Sequence, residues 1–379
     1  MSAVDLDRLR PDLATLGRAP TAADVASAMR RCGMAVTDSA VLETVAELRR
    51  DTLGAGPLDA LLREPGVTDV LVNGPDQVFV DRGSGLEQTA IRFGSDADVR
   101  RLAARLAASA GRRLDDASPY VDARMSDGVR VHAVLGSLAA PGTCLSLRVP
   151  SRIHLSLDEW VERGSLHPVA ADVLRQVVAV RVAYLVSGGT GTGKTTLLAA
   201  LLGLVPHRER LLIVEDSREL APDHPHCVRL EARPPNGEGI GAVELAVLVR
   251  QALRMRPDRV VLGEARGAEI CDLLTALNTG HEGGCGTVHA NSADDVPARI
   301  EALAALGGLD RNAVHAQLAS AVEVFVHIRR GPSGHRQVAQ ISVARRDGEF
   351  VRAEPALLFD DTGARRGPGC ARLERVLGR

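Results

Sequence analysis

The chain has 379 residues, 45% of them hydrophobic and 25% charged, which is the balance of a folded protein with room for two domains and excludes a disordered or fibrous one. Aromatic residues make up only 2% and the formal net charge is −2, so the core must be aliphatic, base-stacking platforms are scarce, and nucleic acid is disfavoured as a direct ligand. Six cysteines (Cys32, Cys144, Cys227, Cys271, Cys285, Cys370) form no C-x-x-C pair, which argues against a zinc site or a disulfide framework and for buried free thiols.

The N-terminal MSAVDLDRLR is acidic and lacks an apolar core, so it does not read as a signal peptide, and a cytoplasmic start is expected. Residues 1–50 carry helical periodicity in ADVASAMRR and VLETVAELRR and predict a helical N-terminal segment. Residues 51–150 predict a small α+β domain. TDVLVN and QVFVDR are strands joined by NGPD, ADVRRLAARLAASAG is an amphipathic helix, and VRVHAVLG and CLSLRVP are strands. Residues 151–168 have mixed polarity and predict a linker. Residues 169–379 alternate strand and helix as in a parallel α/β sheet, with strands at VAYLVS, LLIVED, HCVRLE, RVVLGE and GTVHA. A closing β-meander is expected from EVFVHIRR, QVAQISVARR and EFVRAEPALLF. The longest apolar run, LLAALLGLV at 197–205, is far shorter than the roughly 18 residues of a membrane span, so any membrane association would be peripheral.

VAYLVSGGTGTGKTTLLAALLGLV reads as strand, glycine-rich loop and helix. Gly188, Gly193, Lys194 and Thr195 fit G-x-x-x-x-G-K-[ST], with Gly189, Thr190, Gly191 and Thr192 inside the loop and Thr196 after it. Such a loop turns successive backbone N–H groups toward phosphate oxygens, and the helix N-terminus adds partial positive charge. Lys194 is expected at the β- and γ-phosphates of ATP, and the Thr195 hydroxyl on Mg²⁺. Of 46 basic residues, 45 are arginine, and the only lysine is Lys194. Arginine therefore serves wherever charge alone is enough, and the compact ammonium is kept where its shape matters.

RVVLGE delivers Glu264 to the phosphate side of the sheet, to order Mg²⁺ through water and to orient or activate the attacking water. LLIVED ends in Glu215 and Asp216, a second carboxylate pair for the same pocket, with Glu219 one turn on. His281 and His289 bracket TGHEGGCGTVHA and suit γ-phosphate sensing, although a histidine in a strand also serves as an ordinary structural residue. Arg112, Arg113, Arg124, Arg130 and Arg148 cluster in the first domain. They suit completion of a nucleotide site from outside, or simply surface solvation.

Together these segments resemble the secretion-superfamily traffic ATPases of type II and type IV secretion, and within them the tight-adherence (TadA/CpaF-like) branch. The resemblance runs from about residue 54 to residue 346. It rests on GPLDALLREPGVTDVLVNGPDQVFVDR, GRRLDDASPYVDARMSDGVRVHAV and LSLRVPS, then on the P-loop, LLIVEDSREL, LRMRPDRVVLGEARG and ALNTGHEGGCGTVHANSADD. It implies a RecA-like P-loop motor domain preceded by a PAS-like domain. It also implies a hexameric ring at the inner face of the cell membrane, a membrane platform protein as partner, and work done on a pilus or a secreted protein. Residue by residue, it implies the P-loop at Lys194 and Thr195, the catalytic glutamate at Glu264, an Asp box at Glu215 and Asp216, and a His box at His281 and His289. Arg124, Arg130 and Arg148 become nucleotide-side arginines, reaching over from a neighbouring subunit in many relatives. Cys285-Gly286 departs from the small hydroxyl residue common before the last T-x-H, and no tetracysteine module is present. A nucleic-acid-translocating motor in conjugal transfer is the alternative, and a slowly hydrolysing nucleotide switch a third reading.

Overall fold

The computed structural model describes residue 9 and residues 21–379, apart from 35, 39, 43, 46–53, 84, 151–154, 236–238, 332–333, 361 and 379. The chain divides into two units, Met1–Ser151 and Arg152–Arg379.

In the first unit, helix α1 (Ala22–Arg31) starts at a capping box: the Asp24 carboxylate accepts from Thr21 N at 2.8 Å, and Thr21 Oγ1 accepts from Asp24 N at 3.4 Å. Val25, Ala28 and Met29, spaced three, one and four apart on one face, bury with Leu9 and Val41 in a small core of their own. Most of VLETVAELRR lies outside the described residues.

A short helix α2 (Asp59–Arg63) leads into a six-stranded sheet in which every neighbouring pair is antiparallel. Its strands are β1 (Asp69–Asn73), β2 (Val78–Asp81), β3 (Leu86–Gln88), β4 (Tyr120–Arg124), β5 (Arg130–Val134) and β6 (Cys144–Arg148), in the order β3-β2-β1-β6-β5-β4. Alternate residues Val70, Val72, Val78, Val80, Val131, Ala133, Leu145 and Leu147 face the core, where α3 (Asp96–Ser109) contributes Val99, Leu102, Ala103 and Leu106. Strand β3 escapes sequence reading because Leu86, Glu87 and Gln88 are all exposed and show no alternation. The register sets Asp69, Arg148, Arg130 and Arg124 side by side in one row across β1, β6, β5 and β4.

The second unit is built on a nine-stranded sheet in the order β15-β14-β13-β12-β7-β11-β10-β8-β9. Strands β7 (Tyr184–Gly188), β8 (Leu211–Glu215), β9 (Cys227–Glu231), β10 (Arg259–Ala265), β11 (Cys285–His289) and β12 (Val324–Arg330) are parallel. The meander β13 (Arg336–Asp347), β14 (Phe350–Asp360) and β15 (Gly363–Arg366) is antiparallel. Strands β7 and β8 are buried on both faces, which is why YLVSG and LLIVE are continuous rather than alternating apolar runs.

Helices α4 (Leu157–Glu162), α5 (Pro168–Ala179), α6 (Lys194–Leu202) and the last helix cover one face. Helices α7 (Leu245–Ala252), α8 (Glu269–Asn278), α9 (Val296–Leu306) and α10 (Arg311–Ala321) cover the other. Helix α4 falls within the expected linker. The signal is a capping box, Glu159 accepting from Ser156 N at 2.7 Å, and Trp160 buries against the second unit's core. Strand β15 and the last helix α11 (Cys370–Leu377), which seats Leu373 and Val376 in the same core, extend the unit beyond the expected meander. All six cysteines are free thiols, but only Cys285 and Cys370 are fully buried. The other four are half-buried, a correction to the expectation.

Candidate active site

Parallel pairing brings the C-terminal ends of β7, β11, β10 and β8 to the same edge of the sheet, with Gly188 level with His289. Strand β10 shifts register between Leu262 and Ala265, so Gly263 and Glu264 sit in an irregular segment that re-aims the carboxylate.

The loop after β7 depends on glycine at both ends. A Cβ on Gly188 would lie 2.4 Å from the Ile328 carbonyl oxygen and 2.8 Å from Thr192 Oγ1, and Gly193, at φ +97°, opens α6 in the left-handed region. Thr192 Oγ1 donates to the Gly189 carbonyl at 2.9 Å and braces the loop. Thr190 and Gly191 stand exposed at its apex, while Thr195 and Thr196 are half-buried in the first turn of α6.

Lys194 folds back into this cradle and is only 7% exposed. Its ammonium donates to the carbonyls of Gly188 at 3.1 Å and Gly189 at 2.8 Å, and lies 3.4 Å from His289 Nε2. Burial lowers its pKa, an effect that Glu264 opposes. A buried cation resting on neutral acceptors at the N-terminus of a helix is a site that fits a phosphate.

Glu264 is enclosed at both oxygens. Oε1 is buried against His289 Nε2 and accepts no hydrogen bond, while Oε2 accepts from Arg266 Nε at 2.8 Å and pairs with Nη2 at 2.6 Å. The remaining Nη1 of Arg266 reaches Asp216 at 3.3 Å. Burial, then the Lys194 charge, hold the His289 pKa below its usual value against the pull of Glu264. The ring sits between the Lys194 ammonium and the Glu264 carboxylate. One continuous contact path runs Lys194, His289, Glu264, Arg266, Asp216.

Two expected residues face the main chain rather than the P-loop. Glu215 is 3% exposed, and its Oε1 accepts from the backbone N–H of Glu219 at 2.8 Å and Leu220 at 2.7 Å, while Arg229 stands 3.6 Å from Oε2. It organises the turn after β8, packed beneath Gly263, where a Cβ would lie 2.6 Å from Glu215 Cγ. His281 precedes β11, at the opposite end of the strand from His289, and its Nδ1 lies 3.2 Å from the Ala276 carbonyl at the end of α8. The spacing that brackets the glycine-rich segment is the length of a strand, so only His289 reaches the P-loop. Cys285, at the start of β11, is fully buried and its thiol is pushed up to about 11 by that burial. Arg124, Arg130 and Arg148 form the row described in the first unit.

Sequence reading missed Arg266 and His327. His327 is buried on β12 level with Ser187, the residue before the P-loop, and its Nδ1 lies 3.0 Å from Ser187 Oγ. Neither stands in a spacing that marks it. Arg266 is one arginine among 45, and a histidine in VFVHIRR looks like any strand residue.

Among the described residues no group of three or more histidine, cysteine or carboxylate side chains is arranged to hold a metal ion. No helix among the described residues is long and apolar enough to cross a membrane.

The family model described as "Type II/IV secretion system protein" matches residues 51–358. A Mycobacterium tuberculosis protein named "Putative conjugal transfer protein" is 56% identical over 322 residues, covering 83% of this chain and 92% of that protein. The "Type IV secretion system protein VirB11" of Brucella suis is 30% identical over 307 residues, covering 73% of this chain and 84% of that protein. Among solved structures, the Legionella pneumophila ATPase DotB superposes with a TM-score of 0.53 at 18% identity, over 76% of this chain and 80% of that one, and shares the fold.

Proposed function

The chain belongs to the type II/IV secretion system protein family, and from that premise we propose that it is a Mg²⁺-dependent ATPase that powers pilus assembly or secretion, of the tight-adherence branch. The observation that carries this reading is the Lys194 ammonium, buried in a glycine cradle and joined through His289 to Glu264 across the sheet.

On substrate binding, Lys194 exchanges the Gly188 and Gly189 carbonyls for β- and γ-phosphate oxygens, where its charge is better matched. The loop N–H groups and the N-terminus of α6 hold the rest of the triphosphate. Thr195, and Glu264 through water, would hold Mg²⁺, which supplies neutralisation of the phosphate charge. Glu264 orients a water in line with the γ-phosphorus. The water oxygen bonds to phosphorus as the bond to the β–γ bridging oxygen breaks, giving ADP and phosphate, with the proton passing toward Glu264. His289 touches both Lys194 and Glu264, so a change at the phosphate reaches the carboxylate through one side chain. Glu215 and Asp216 position the surrounding turn and Arg266.

The row Arg124, Arg130 and Arg148 offers three arginines in register, a pattern suited to neutralising phosphate bound by a neighbouring subunit. We assign it that role in a cytoplasmic, membrane-peripheral homo-oligomeric ring, hexameric as in the resemblance, with an integral-membrane platform protein as partner. Mixing tests the shared site: Lys194→Ala and Arg130→Gln chains, each inactive alone, should recover partial phosphate release when combined, because some interfaces then carry both native residues. No recovery, with both variants still co-assembling, would remove the arginine row from the site.

A further inference from the structure

The state of Glu264 carries an inference about how turnover is restrained, and it rests on Glu264 being the water-orienting carboxylate. Neither oxygen is open to a water: Oε1 is buried against His289 without accepting a hydrogen bond, and Oε2 is held by Arg266. A carboxylate that must aim a water at phosphorus needs an oxygen the water can reach. The held arrangement is therefore an off state.

Arg266 is built to leave it. Its backbone N–H is pinned by Glu269 Oε1 at 2.6 Å, and Glu269 also holds Gly267 N at 2.8 Å, so the main chain is fixed. The side chain is about half exposed and therefore able to pivot, and its third nitrogen already touches Asp216. Asp216, likewise about half exposed, lies at the end of the neighbouring strand with a carboxylate able to take the planar guanidinium in full. We propose that Arg266 is a positioning residue with two seats: on Glu264 it parks the carboxylate, and on Asp216 it frees it. Asp216 is thus an exchange partner for Arg266 and takes no part in the reaction itself. The pull toward the second seat comes from the phosphate side, because a γ-phosphate that draws Lys194 away from His289 loosens the other contact on Glu264.

The test is a double-mutant cycle on full-length protein, reading kcat and KM for phosphate release, with melting temperature and nucleotide affinity as controls. Arg266→Gln removes the charged hold and should hydrolyse faster than wild type, by about tenfold for one charge-assisted contact. Asp216→Asn removes the second seat and should lower kcat by about tenfold with nucleotide affinity unchanged. In the double variant, Asp216→Asn should cost nothing further, since there is no guanidinium to receive. Arg266→Lys, whose ammonium cannot grip as a fork, should fall between wild type and Arg266→Gln. Slower hydrolysis by Arg266→Gln, or effects that multiply in the double variant, overturns the two-seat model. Failure of the underlying reading looks different: wild type would then release no phosphate, or Lys194→Ala would match it.

Discussion

Replacing Glu215 separates a carboxylate that builds the site from one that reacts in it. Both backbone hydrogen bonds, from Glu219 and Leu220, end on the same atom, Oε1, and the residue is nearly fully buried. Glu215→Ala strands two buried N–H groups at about 1–2 kcal/mol each, so a loss of about 2–4 kcal/mol is expected. At ~2–4 °C per kcal/mol for a unit of this size, the melting temperature should fall by about 5–15 °C. Glu215→Gln keeps a carbonyl oxygen in the Oε1 position and loses only the weak 3.6 Å approach of Arg229 to Oε2, so it should retain phosphate release within about threefold of wild type. The pH dependence adds a second readout. Burial raises the Glu215 pKa above its ordinary 4.5, so the folded chain binds more protons than the unfolded one in that window. The stability contributed is complete below the ordinary value and is lost as pH rises through the raised one. Glu215→Gln cannot titrate, and its melting temperature relative to wild type should climb as pH increases across that range. The assay is thermal melting over pH, together with steady-state phosphate release. A Glu215→Gln protein that melts normally but releases no phosphate would refute the reasoning and return Glu215 to the reacting groups.

Lys194→Arg keeps the charge, but a planar guanidinium cannot sit on the carbonyls of Gly188 and Gly189 as the ammonium does; nucleotide affinity should drop by at least about tenfold. The single tryptophan, Trp160, reports it, because a Cβ on Gly193 would lie only 3.3 Å from its ring, and unaltered quenching on nucleotide addition would count against the prediction. Gly188→Ala forces a methyl to 2.4 Å from the Ile328 carbonyl and should cost about 1–3 kcal/mol, read by thermal melting, and weaken nucleotide binding as well. Gly191→Ala meets no atom within 4 Å and adds only the strain of its left-handed φ of +68°, about 1 kcal/mol, so it should be milder on both measures. Burial lowers the His327 pKa below its ordinary 6.5, so its share of stability is present above that value and lost as pH falls through the lowered one. Melting of wild type should drop from about pH 7 to about pH 5 more steeply than melting of His327→Gln, and equal slopes would show that His327 does not titrate on unfolding.

The P-loop was legible because its glycines and lysine recur at a spacing that only a strand–loop–helix uses, and Glu264 because a run of apolar residues ending in Gly-Glu marks a buried strand's end. The parallel motor sheet followed from the same alternation of strands and helices. What stayed hidden depends on three-dimensional partners. Glu215 and Asp216 are adjacent in sequence, yet one carboxylate turns inward to cap backbone N–H groups and the other outward to Arg266. His281 and His289 look equivalent along the chain, but a strand of five residues carries them to opposite edges of the sheet. Helix α4 was obscured by mixed polarity across 151–168, although Ser156 and Glu159 at capping-box spacing held the signal.

In the proposed reaction Glu264 orients the water that attacks a nucleotide held by Lys194. Single-turnover release of phosphate from ATP by Glu264→Gln, measured beside wild type on protein shown by Trp160 fluorescence to be nucleotide-saturated, tests it most directly. Full binding with release slowed by at least about a hundredfold is expected; release at the wild-type rate from the saturated variant would rule Glu264 out of that role.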